Sequence, residues 1–232
     1  MNLLVFFFSW CKYYDSISSI NCFFIARALG PERTRDELIP FIGESIDDED
    51  SVVLVYAEKL GELVDLVGGN QYCFKILETL GQLCAAEEGV VRDMTICSIE
   101  KVVALMPEDH LEKHFVPMVL RLASKDWYTC RASAACLMHL AYGRLNDDRR
   151  TAFRSVFVKL CADETPIVRK LAARNLGRFS YEIIKLDQLP HDFVRTFTQL
   201  ASDDQDAVRI ENIMNGVALS ELLAVEQKVS DS

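Results

Sequence analysis

Arginine returns at a near-constant interval along this chain, each time behind a short polar turn. Val91-Arg92, Cys130-Arg131, Val168-Arg169 and Val208-Arg209 are four copies, and Val52-Val53 is a fainter fifth. The anchor positions 53, 92, 131, 169 and 209 are spaced by 39, 39, 38 and 40 residues. A period near 40 that holds two apolar stretches predicts stacked antiparallel helix pairs. Such an array is all-α, an α-solenoid or superhelix, with an extended surface and no obligatory active-site cleft.

Composition agrees with that frame. Half of the 232 residues are hydrophobic, and only 10 Gly and 6 Pro interrupt them, so helices of three or four turns have room to form. The formal charge is -10, from 35 acidic and 25 basic residues. A nucleic-acid binder answers phosphates with a positive patch, so neither nucleic acid nor an anionic membrane surface is expected as a partner. A basic or mixed-charge protein fits better.

The breakers keep the same beat. They fall at Gly30-Pro31, Gly68-Gly69, Pro107, Asn146-Asp147-Asp148 and the 187–190 segment. Glycine past a helix end and proline beyond it are stop signals. The expected organisation is a divergent apolar segment over 1–14 and a partial repeat over 15–30. Five full repeats follow over 31–69, 70–107, 108–147, 148–187 and 188–226, then a polar tail over 227–232. Within the repeats, helix pairs are expected near 71–85 and 90–106, near 110–124 and 130–145, and near 149–161 and 166–186. Pro166 suits the first turn of its helix, where its missing N–H would be unpaired anyway.

The amino-terminal run Met1 to Phe8 is too short to span a bilayer, which needs about 20 residues. It also lacks the basic start and small-residue cleavage site of a signal peptide. A membrane-tethered protein using residues 1–14 is the reading from another class, and fractionation separates it from the rest.

The eight cysteines form no CxxC pair and no Cys/His cluster at zinc spacing. Cys84 and Cys161 each stand eight residues before an anchor arginine, where neighbouring copies have Ala123 and Ala201. A slot shared by Cys and Ala reads as a small packed apolar site. Reduced thiols imply a cytoplasmic or nuclear compartment. His110, His114, His139 and His191 are scattered; His110 and His114 can share a helix face but have no third ligand at metal spacing. There is no glycine-rich phosphate loop and no nucleophile elbow, so no enzyme, cofactor or metal is expected.

The turns carry their own logic. Six residues before the anchors stand Asp47, Ala86, Lys125, Asp163 and Asp203. An aspartate there can cap the second helix and accept hydrogen bonds from an arginine of the next unit. The ladder is interrupted at Val53, Ala86 and Lys125, so it is complete only toward the carboxyl end. The run Asp47-Asp-Glu-Asp50 reads as a solvated turn.

Several stretches sharpen the picture: Ile25 to Phe41, Leu66-Val-Gly-Gly69, Glu87 to Asp93, His114-Phe-Val-Pro117, Asp126-Trp-Tyr128 and Asp203 to Arg209. Together they resemble the scaffold (A, structural) subunits of type 2A protein phosphatase, built of HEAT repeats, in their amino-terminal half. The resemblance runs from about Ile25 to Arg209. It implies an armadillo-like helical, non-catalytic scaffold, monomeric within a heteromeric complex, whose intra-repeat turns bind a regulatory B subunit. The partner-binding residues it implies are Glu87, Glu88, Trp127, Tyr128, Glu164, Pro166 and Lys170. The segment before about Asp15 and the segment after Arg209 depart from the pattern. This short chain does not include the repeats that would hold the catalytic subunit, so a truncated competitor is one alternative. Another HEAT adaptor, a transport-receptor-like peptide binder, is a second.

Overall fold

With apolar residues at helical spacing and few breakers, helix follows helix, and no strand occurs among the described residues. The structure, a computed structural model, describes residues 18–44 and 49–216. The amino-terminal run, Asp47 and Asp48 of the acidic turn, and the polar tail lie outside those residues. Contacts divide the chain between Phe115 and Val116 into two units.

In the first unit, α1 (Ser18–Arg33) is broken at Gly30, whose φ of 78° takes the chain out of the helix before Pro31. A π-helical turn (Thr34–Leu38) leads into α2 (Ile39–Glu44). Then come α3 (Asp50–Leu60), α4 (Phe74–Leu83) and α5 (Gly89–Leu105). The segments Glu108–His110 and Leu111–Phe115 close the unit, the latter again π-helical. Helices α1, α3 and α5 pack side by side, α2 packs on α4, and α4 packs on α5. First and second helices of successive pairs therefore form two layers.

The two π-helical turns share a cause. Each ends two residues before a proline, Pro40 or Pro117. A proline inside a helix has no N–H to donate, and its ring crowds the carbonyl four residues back. Widening the preceding turn relieves that crowding, and Ile39 N–H bonds Thr34 O instead.

The second unit holds α6 (Val116–Ala123), α7 (Tyr128–Leu137), α8 (Asp147–Cys161), α9 (Pro166–Ile184), α10 (His191–Ala201) and α11 (206–216). Helices α6, α8 and α10 form one layer, and α7 packs on α9 in the other. The core between layers is aromatic: Tyr142, Phe153, Phe157, Phe179 and Phe193 are all buried. Phe179 meets Phe157 edge-on at 4.8 Å and Tyr142 at 5.0 Å, and Phe157 stacks on Phe193 at 5.9 Å. Edge-to-face and offset rings add to the area they bury.

Two helix limits differ from the sequence expectation. The helix expected near 130–145 ends its α-turns at Leu137 and continues as 3-10 turns over Met138–Leu140 and Tyr142–Arg144. The tighter winding accompanies the burial of Tyr142 against Phe179. At Asn146 the chain is non-helical, and the next helix starts at Asp147, not near 149. Asn146 Oδ1 accepts the Arg149 N–H at 3.0 Å, and the two aspartates sit in the first turn, where the helix dipole favours them. Pro166 occupies the first turn of α9, as its type predicts.

The small slot before the turns is packed at Cys84 and Cys161, which are buried. It loosens at Ala123, half-buried, and at Ala201, exposed, where nothing among the described residues covers it. Among the described residues no helix is long and apolar enough to cross a membrane.

Candidate partner-binding edge

Each anchor arginine first closes its own turn. Arg92 Nη1 donates to the carbonyl oxygens of Ala86 and Glu87, both at 2.7 Å. Arg131 Nη1 reaches Lys125 O at 3.1 Å and Asp126 O at 2.6 Å. Arg169 Nη1 reaches Asp163 O at 2.9 Å and Glu164 O at 3.2 Å, and Arg209 Nη1 reaches Asp203 O at 2.5 Å. The bonds go to backbone oxygens six and five residues upstream, so they form whether position −6 is Asp, Ala or Lys. Side-chain reasoning missed this clamp. The constant six-residue offset, kept even at Ala86 and Lys125, was its signal. Val53, at the same place in the fainter copy, has no donor and is buried instead.

The rest of the guanidinium joins neighbouring pairs where an aspartate awaits it. Arg131 donates through Nε to Asp163 Oδ2 at 2.7 Å, and through Nη2 to Asp163 Oδ1 at 3.0 Å and Thr165 Oγ1 at 3.1 Å. Arg169 repeats the pattern on Asp203 and adds Asp204 at 2.8 Å. The ladder has its rungs toward the carboxyl end, but each aspartate accepts from the arginine of the preceding unit, not of the next one as expected. Burial alone would raise the Asp163 carboxyl, but Arg131 and the Thr165 N–H outweigh it and hold it below the usual range.

Asp163 does not cap α9, contrary to the expectation for that position. Its Oδ1 accepts the N–H of Thr165, the residue at the cap itself, at 2.9 Å. Asp203 does the same with Gln205 at 3.0 Å. The aspartate shapes the turn, and the helix starts one residue beyond its reach.

The side chains at the cap positions of these turns do not cap their helices. Glu88, Trp127 and Thr165 occupy equivalent N-cap positions in extended backbone, and none makes a capping bond. Trp127 is 49% exposed and Tyr128 36%, their ring centroids 5.9 Å apart. In the same unit Glu164 and Pro166 are exposed and Lys170 is half-buried. Glu87 and Glu88 are exposed on the corresponding turn of the first unit. The seven residues singled out from sequence all lie at four equivalent positions, from five residues before the anchor to one after.

The histidine pair expected to share a helix face serves packing. His114 stacks on Phe74 at 4.3 Å and His110 meets the same ring edge-on at 5.2 Å, so the pair packs around an aromatic. Among the described residues no group of three or more His, Cys, Asp or Glu could hold a metal. Burial pushes the Cys73 thiol up to about 11 and raises Cys130 and Cys161 as well, which leaves them poor nucleophiles.

Comparison with known proteins decides the kinship. The chain is 44% identical over 206 residues to the regulatory A-type subunit of protein phosphatase PP2A from Schizosaccharomyces pombe. That alignment covers 88% of this chain and 35% of the relative. The chain is a homologue of the PP2A regulatory A subunits. Others agree: the beta isoform of the 65 kDa regulatory A-type protein from Rattus norvegicus is 45% identical over 70% of this chain and 27% of its own length. The scaffold subunit of Dictyostelium discoideum is 43% identical over 69% of this chain and 28% of its own. The chain thus spans about a third of the length of the curated relatives it matches, which are regulatory or scaffold proteins by name, not catalytic ones. No family model matches. Among solved structures, Cex1p shares the fold with a TM-score of 0.58 at 14% identity, over 92% of this chain and 40% of that one.

Proposed function

We propose that this chain is a non-catalytic scaffold segment of a type 2A protein phosphatase and that its turn edge binds a regulatory B subunit. The observation that carries the reading is Trp127, a tryptophan nearly half exposed on a turn whose backbone Arg131 fixes with two hydrogen bonds. A large aromatic on a turn whose backbone is already fixed loses less freedom on binding, and tryptophan is prominent among interface hot spots. Tyr128, Glu164, Pro166 and Lys170 extend the edge in the second unit, and Glu87 and Glu88 supply its counterpart in the first.

The mechanism is positional. Holding a substrate-selecting subunit on a repeat array raises its effective concentration near whatever else the array carries. Calorimetric titration of a B subunit into the chain tests the reading. Trp127→Ala should weaken binding by about 2 kcal/mol or more, roughly thirtyfold, with the helical melting profile unchanged. An unchanged dissociation constant would remove Trp127 from the interface, and no binding by the unaltered chain would end the B-subunit reading.

A further inference from the structure

Helix α9 carries a row of cations that the turn edge leaves largely unused. Lys170, Arg174 and Arg178 follow one another at four-residue intervals, and Tyr181 returns to the same face. At about 100° and 1.5 Å per residue, the four side chains fall within an arc of about 80° along about 16 Å. Arg174, Arg178 and Tyr181 are exposed and Lys170 is half-buried.

The row is only partly neutralised. Arg174 donates to Glu211 Oε1 of α11 through Nε at 3.1 Å and Nη2 at 2.6 Å, yet 47% of its side chain stays exposed. Lys170 stands near enough to the same carboxylate to favour its charged form, after Arg174. Lys185 sits 4.1 Å over the Tyr181 ring and pairs with Glu182 at 2.7 Å. Lys170 and Arg178 add their charge beside these pairs, on a chain whose formal charge is -10.

The neighbouring helix adds an apolar row. Ile210 and Met214 of α11 are 61% and 71% exposed. They stand one and five residues after Arg209, the register that Lys170 and Arg174 hold after Arg169. The Arg174–Glu211 bond ties the two helices together at that level. Cations and apolar side chains therefore run in parallel on adjacent helices.

We propose that this α9–α11 surface docks an acidic amphipathic segment of a protein partner, its carboxylates on Lys170, Arg174 and Arg178 and its apolar side chains on Ile210 and Met214. Charge complementarity sets the orientation, and the apolar row excludes water beside it. A nucleic acid fits less well, since its phosphates have no use for the apolar row and meet the overall negative charge. The surface shares Lys170 with the turn edge but extends past it: Arg178 and Met214 lie beyond every residue assigned there.

The test uses the full chain and a fluorescein-labelled helical peptide with glutamates at four-residue spacing and leucines alongside, read by anisotropy. Binding should saturate and weaken as salt rises. Arg178→Glu and Met214→Asp should each weaken it at least about tenfold, while Trp127→Ala leaves it unchanged. Arg178 makes no side-chain hydrogen bond among the described residues, so its variant should keep the parent far-UV circular dichroism. Arg174→Gln/Arg178→Gln gives a second, milder variant with the same expected direction. Wild-type affinity in the Arg178 and Met214 variants would overturn the proposal, as would tighter binding of a single-stranded RNA oligonucleotide than of the peptide.

Discussion

Arg169 holds Asp203 by two parallel hydrogen bonds, Nε to Oδ2 at 2.7 Å and Nη2 to Oδ1 at 3.0 Å. Both side chains are nearly covered, 14% and 8% exposed. This fork joins two helix pairs, and the same guanidinium closes its own turn. Arg169→Met should therefore cost about 3 kcal/mol of unfolding free energy, more than an exposed pair contributes. A double-mutant cycle with Asp203→Asn in urea should return a coupling of about 1–3 kcal/mol. The hydrogen bonds from Arg169 hold the Asp203 carboxyl below its usual value, against burial. The rung's contribution is thus complete above the ordinary aspartate range and lost as pH falls through the lower folded value. Independent, additive single mutants would show that the fork adds nothing beyond its parts.

His139 gives the molecule a second, separate pH dependence. Burial, and then the charge of Arg178, depress its pKa to about 4. The unfolded chain takes up this proton near pH 6.5, before the folded chain can. Stability from this site is complete above that value and declines on acidification until about pH 4. The expected loss is on the order of 2–3 kcal/mol between pH 7.5 and 4. Urea unfolding of His139→Gln across that range should show a flatter profile than the parent, and parallel profiles would exclude His139 as the source.

Gly68 combines a left-handed backbone with a close neighbour. Its φ is 101°, and an added Cβ would stand 2.8 Å from Arg35 Nη1. That nitrogen donates to Val67 O at 2.8 Å while the guanidinium lies 4.0 Å over the Tyr72 ring. Gly68→Ala must therefore adopt a left-handed conformation and displace Arg35, at a cost of about 1–3 kcal/mol. A fall in thermal midpoint, with Arg35→Ala in the same background producing little further loss, would fit; an unchanged midpoint would not.

The thiols should separate cleanly by exposure. Cys97 is exposed, whereas Cys22, Cys73, Cys84, Cys130, Cys136 and Cys161 are buried. Brief iodoacetamide treatment of the native chain, mapped by mass spectrometry, should modify Cys97 and leave those six protected until denaturant is added. Adducts at Cys84 or Cys161 under native conditions would contradict the packed slot.

The sequence made the helix array and its arginine ladder legible because both depend on spacing. Spacing located the rungs toward the carboxyl end but reversed their pairing: Asp163 and Asp203 accept from Arg131 and Arg169 of the preceding units, not from an arginine of the next. The clamp from each arginine to its own turn showed only as a constant spacing, since backbone carbonyls leave no trace in residue type. The π-helical turns before Pro40 and Pro117 were equally silent: proline marks crowding, not how the helix relieves it. The aromatic core was missed for another reason. Tyr142 and Phe179 are 37 positions apart, and nothing local shows that a 3-10 turn brings them face to edge. Exposure at the turn edge also escaped spacing arguments, which placed Trp127 on a turn without saying how much of its ring stays uncovered.

The clamp has a consequence for how such chains diversify. An arginine that grips main-chain oxygens is indifferent to the side chains those peptides bear. Ala86, Lys125 and Asp163 can stand at the same point of three turns without changing the loop's course. Shape is thereby inherited through one residue while the surface beside it is left open to drift. A lineage built this way can rewrite what its turns recognise, one loop at a time, without rebuilding the frame that presents them.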